Sequence, residues 1–72
     1  MINNYVVSLF DCFDGETKMV QVTAKDELEA LKLGIISLKI EDDEIDKYES
    51  AKDLIRSYND ANLVVAVLKI II

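Results

Sequence analysis

Asp14-Gly15, set between two β-prone runs at residues 5–13 and 16–23, constrains the fold of this chain more than any other feature. Asp-Gly is the preferred central pair of a two-residue type I′ turn, where both residues take positive φ. A turn there joins the two runs as a hairpin and sets their register. One face then pairs Tyr5–Ala24, Val7–Val22, Leu9–Val20 and Asp11–Lys18, three apolar pairs ending in an ion pair near the turn. The other pairs Val6–Thr23, Ser8–Gln21, Phe10–Met19 and Cys12–Thr17, a mixed face with Phe10 and Met19 as its conspicuous apolar members. A bulged turn would move the register by one residue and exchange the faces.

The remaining elements follow from capping and periodicity. Asp26 fits a helix N-cap, with Glu29 at capping-box spacing and Glu27 also in the first turn. Leu28, Leu31, Ile35 and Leu38 then form one helical stripe, widened by Leu33 and Ile36, and the helix should end near Leu38 or Lys39. Gly34 weakens that helix and marks a place where it can approach the sheet closely. A second helix is expected to start inside the acidic run, capped by Asp42 or Asp43, with Ile45, Tyr48, Ala51, Leu54, Ile55 and Tyr58 inward. Asn59-Asp60-Ala61-Asn62 stops it, since Asn tolerates the left-handed C-terminal position. Residues 63–72 are apolar at nearly every position and form the last strand. The expected architecture is α+β: a three-stranded, mainly antiparallel sheet in the order β-β-α-α-β, with two helices packed on one face.

Seventy-two residues make a single domain with a thin core. No internal disulfide reinforces it, because Cys12 is the only cysteine, and there is no histidine to join that thiol at a zinc ion. The chain is 51% hydrophobic without a proline, which argues against disorder. No stretch reaches the roughly 20 apolar residues of a membrane-spanning helix. Residues 1–4 lack the basic start of a secretory signal, and a lone thiol suits a reducing cytoplasm.

Two helices cover only one face of such a sheet. The other is expected to gather Val6, Phe10, Met19, Leu63, Val65, Val67 and Ile71. Surface of that kind marks an interface, so a homodimer is expected.

Charge supplies the second functional clue. Glu41, Asp42, Asp43, Glu44, Asp46, Glu49 and Asp53 stand against only Lys47 and Lys52. Seven acids less two lysines leaves five negative charges, most of the net charge of −6. Phosphate backbones and anionic lipids are repelled by such a surface, and basic protein surfaces are attracted.

Catalytic chemistry finds little support. Without histidine there is no serine or cysteine triad of the usual kind. Cys12 lies between Asp11 and Asp14, with no base or cation to activate it. The acids near Gly15 lack EF-hand spacing, and two glycines do not make a phosphate loop. No enzyme activity, metal or other cofactor is expected.

The stretch Val22-Thr23-Ala24-Lys25-Asp26-Glu27-Leu28-Glu29-Ala30-Leu31 resembles the strand-to-helix junction of many small phage-encoded proteins. In size, acidity and fold class the chain is similar to the anti-CRISPR class of phage inhibitors. That resemblance covers about ten residues and a general profile, and carries no functional residues with it. It implies an inhibitor that mimics DNA charge and occludes a basic nucleic-acid-binding site on a host protein in the host cytoplasm. The seven acids of the 41–53 segment are the partner-binding candidates. The alternative is an assembly module that works through its apolar sheet face, with the acids serving solubility alone.

Overall fold

The computed structural model describes residues 2–71. Its elements run β1 (Asn3–Asp11), β2 (Glu16–Ala24), α1 (Glu27–Ser37), α2 (Ala51–Asp60) and β3 (Leu63–Lys69), with a single 3-10 turn at Ile45–Lys47 between the helices. The sheet is antiparallel throughout, in the order β2-β1-β3, and both helices pack against one of its faces. The architecture is the α+β arrangement expected from the sequence. Among the described residues, no helix is long and apolar enough to cross a membrane.

The hairpin closes through four residues, 12–15, and not through two. Asp11 faces Glu16 directly, and the Gly15 amide donates to the Asp11 carbonyl at 2.8 Å. The Asp11 side chain explains the wider loop, since its Oδ1 accepts from the Phe13 amide at 2.8 Å and the Asp14 amide at 3.4 Å. A carboxylate that satisfies the turn's own amides competes with the tighter turn. Gly15 alone takes the positive φ, at 69°. The register therefore differs by two residues from the expected one: Tyr5 pairs with Val22, Val7 with Val20, and Leu9 with Lys18. Because side chains alternate with a period of two, such a shift leaves each residue on its expected face. Tyr5, Val7 and Leu9 are buried, and the expected Asp11–Lys18 pairing is replaced by Asp11 opposite Glu16.

The third strand corrects the expected faces. β1 pairs Val7 with Val67, Leu9 with Val65 and Asp11 with Leu63, which puts the odd residues of β3 beside the inward residues of β1. Val65 is 3% exposed, and Leu63 and Val67 pack against the core. These three, expected on the open face, lie under the helices. Their places on the open face are taken by Val64, Ala66 and Leu68, while Ile71 lies beyond the strand and is exposed. A strand apolar on both sides carries no alternation to say which side is inward. Pairing with β1 makes the choice, and Asn62, at φ 65°, carries the chain from α2 into β3.

Helix α1 begins as its sequence dictates. Asp26 Oδ1 accepts from the Glu29 amide at 2.8 Å, and Glu29 reaches back to accept from the Lys25 amide at 3.1 Å. Ala30, Leu31, Gly34 and Ile35 are its buried residues, whereas Leu33 and Ile36 remain exposed and do not widen the stripe. Its end is a left-handed stop at Lys39, φ 62°, after which the Ile40 amide donates back to the Ile35 carbonyl at 3.2 Å. Gly34 sits over β1 so closely that a Cβ there would stand 2.6 Å from the Val7 Cβ. The glycine is required by packing.

Candidate acidic binding segment

The residues that precede α2 do not form helix, contrary to the sequence-based expectation. Ser50 is the N-cap, extended at φ −144°, and its hydroxyl accepts from the Asp53 amide at 3.1 Å. Upstream, Asp42 Oδ1 accepts from the Glu44 amide at 2.9 Å, and the Ile45 amide donates to the Asp42 carbonyl at 3.2 Å. Asp side chains offer the backbone this local alternative to helix, and four successive acids repel one another in a helical turn. The acidic run thus becomes a connecting segment with one 3-10 turn.

Three attachments hold that segment on the helical side of the molecule. Ile45 is buried in the core, and Tyr48 packs against it. Asp42 Oδ2 accepts a 2.7 Å hydrogen bond from the Tyr58 hydroxyl of α2. Tyr48 and Ser57 share a hydrogen bond at 2.9 Å between their hydroxyls, and the Tyr48 and Tyr58 rings lie 6.3 Å apart, tilted by 60°. Burial holds the Tyr58 phenol well above its ordinary pKa, and the hydrogen bond to Asp42 and its negative charge push in the same direction. This tyrosine stays protonated and keeps donating across the ordinary pH range.

Of the seven acids singled out from the sequence, Glu41, Asp43, Glu44, Asp46, Glu49 and Asp53 are exposed, and Asp42 is half-buried. The structure divides them by task. Asp42 is an anchor, and Asp53 sits in the first turn of α2. Glu44 lies 3.6 Å from Lys47, with both groups well exposed, a geometry that contributes little. Among the described residues, no salt bridge engages Glu41, Asp43, Asp46 or Glu49. They are free to meet another molecule.

Beside the Tyr58–Asp42 bond is an open cleft of about 190 Å3, lined by Ile40, Glu41, Asp42, Tyr48, Ser57, Tyr58, Ala61 and Leu63. It is smaller than the roughly 300 Å3 at which small-molecule pockets begin. Both of its phenols are already hydrogen-bonded, Tyr48 with Ser57 and Tyr58 to Asp42. Cys12 is exposed on the hairpin loop, apart from this cleft. Among the described residues, no three acidic or thiol side chains converge as metal ligands would. The tie from Asp42 to Tyr58 was not legible in the sequence, where both residues already had sufficient local explanations as a cap and a core aromatic.

No protein-family model, curated protein or solved structure matches this chain.

Proposed function

We propose that this protein is a non-catalytic binding protein whose 41–53 segment docks on the basic, nucleic-acid-binding surface of another protein. The observation that carries the proposal is the Ser50 cap. Had Asp42 or Asp43 started α2, helix capping would explain the run. With Ser50 in that role, Glu41, Asp43, Asp46 and Glu49 are exposed side chains on a segment pinned by Ile45, Tyr48 and Asp42. A pinned segment loses less freedom on binding than a mobile one, and carboxylates meeting Lys or Arg form charge-assisted hydrogen bonds. Surfaces that bind nucleic acid present those cations to phosphates, and closely spaced carboxylates substitute for the phosphates. Occlusion of such a site is the mechanism, and inhibition of a host nucleic-acid machine is the biological role implied by the resemblance to anti-CRISPR-type phage proteins.

The test replaces Glu41, Asp43, Asp46 and Glu49 with lysine, leaving Asp42 and Ser50 in place. Wild type and variant are immobilised, exposed to bacterial lysate and eluted along a salt gradient. Nucleic-acid-binding proteins should leave the wild type at moderate salt, because exposed ion pairs are screened, and should be absent from the variant. Retention of the same proteins by a folded variant would refute the mechanism.

A further inference from the structure

Three rows of side chains cross the open face of the sheet, from β2 through β1 to β3. Phe10 stands between Thr17 and Val64, Ser8 between Met19 and Ala66, and Val6 between Gln21 and Leu68. None of the nine is charged, in a chain where 31% of residues are. Phe10 is 39% exposed, and Met19 and Leu68 are about 70% exposed, at 68% and 70%. On β1 and β3 the outer rows carry the large side chains Phe10, Val64, Val6 and Leu68, and the middle row carries Ser8 and Ala66. Those two strands therefore present a dip between two ridges.

We propose that a second copy of this chain covers this face, with Phe10 of each copy set into the dip over Ser8 and Ala66 of the other. Knob and dip occur on the same surface, so one two-fold axis between the Phe10 and Ser8 rows satisfies both contacts at once. Aligned packing of the two sheets, at about 30° between strand directions, is the ordinary way such faces meet. Electrostatics also selects this face. Two copies each carrying a net charge of −6 repel through most approaches, but here no like charges are placed opposite one another.

Area is sufficient for a dimer of modest strength. Three strands about 4.8 Å apart and about 25 Å long give a footprint near 400 Å2, and side-chain relief raises the accessible area removed to roughly 1,000–1,200 Å2 over both copies. That is the lower end of specific interfaces, consistent with dissociation in the micromolar range. The dimer does not depend on the acidic segment, which stays on the helical side and is left facing outward on both copies.

Sedimentation of the full chain across the micromolar range provides the test. The expected result is a concentration-dependent shift from an 8.1 kDa species to one of twice that mass. Phe10→Lys should weaken association by about 100-fold, by burying an unpaired charge. Ala66→Trp, which fills the dip without adding charge, should weaken it by about tenfold through overpacking. Both positions are exposed, and circular dichroism verifies that each variant folds. In a Cys12→Ser background, Phe10→Cys mixed with Ala66→Cys should be joined by a bis-maleimide reagent long enough to span the ~10 Å between packed sheets, a gap too wide for a direct disulfide, and joined more efficiently than either variant alone. A single 8.1 kDa species throughout the range overturns the proposal. So does a dimer that survives both substitutions, or a dimer whose mixed cysteine variants fail to cross-link.

Discussion

The Tyr58 hydroxyl in α2 donates to Asp42 Oδ2 at 2.7 Å, joining two residues sixteen positions apart in the chain. The bond fastens the start of the acidic segment to the helix that follows it, and Tyr58 itself is only 5% exposed. Removing the hydroxyl with Tyr58→Phe leaves the half-buried carboxylate without that donor. A hydrogen bond to a charged group is worth about 1.5–3 kcal/mol, and a loss of about 2 kcal/mol is expected in urea unfolding. Asp42→Asn keeps an acceptor and should cost less.

The same bond sets an alkaline limit. Burial, together with the Asp42 carboxylate, raises the folded-state pKa of Tyr58 above its unfolded value of about 10. The unfolded chain therefore loses this proton first as pH rises. The stabilising contribution is complete below pH 10 and is lost progressively above it, at up to about 1.4 kcal/mol per pH unit for one proton. Unfolding measured from pH 9 to 11 should show a steeper decline in the wild type than in Tyr58→Phe. Parallel profiles would contradict the assignment.

Gly34→Ala should destabilise the protein even though alanine is the better helix former. The propensity gain is about 1 kcal/mol. Against it, the new methyl would stand 2.6 Å from the Val7 Cβ, an atom fixed to the backbone of the central strand. Overpacking of this kind costs about 1–3 kcal/mol, so a net loss of about 1 kcal/mol is expected in chemical denaturation. Equal or greater stability would mean that α1 can lift from the sheet without penalty.

Ser50→Ala tests where the second helix begins. Loss of the cap to the Asp53 amide should cost about 1 kcal/mol. Asp43→Ala and Asp46→Ala, both exposed and outside the two α-helices, should remain within about 0.5 kcal/mol of wild type. The opposite ranking would place the helix start back in the acidic run.

Cys12→Ser should leave fold, stability and partner binding unchanged, because the thiol is exposed and its backbone amide supplies the contact, a 3.1 Å hydrogen bond to the Asn62 carbonyl. Loss of binding in a folded Cys12→Ser protein would assign the thiol a role in recognition.

Local chemistry made much of this protein legible from its sequence. Asp26 and Glu29 define the start of α1, Asn62 takes the left-handed position after α2, and Asp14-Gly15 lies within the hairpin loop. Each depends on contacts within about four residues, which any chain carrying those residues can form. The inward face of β1 was equally readable, because the hairpin puts Tyr5, Val7 and Leu9 on one face with Val20 and Val22, whereas the other face includes Ser8, Gln21 and Thr23. Even a register two residues from the expected one preserved that face.

What the sequence left undetermined was every choice between locally equivalent alternatives. Asp42, Asp43 and Ser50 are all good helix caps, and the choice of Ser50 depends on Ile45 being buried and Asp42 being bonded to Tyr58. Residues 63–69 are apolar on both sides, so only pairing with β1 decides that Val65 is buried and Leu68 is exposed. The two proposed surfaces follow from those two choices. Free carboxylates exist because the helix starts late, and the Phe10–Ala66 relief exists because β3 turns its even residues outward. Both depend on contacts between residues distant in the chain, whose energies exceed the small differences between competing local structures.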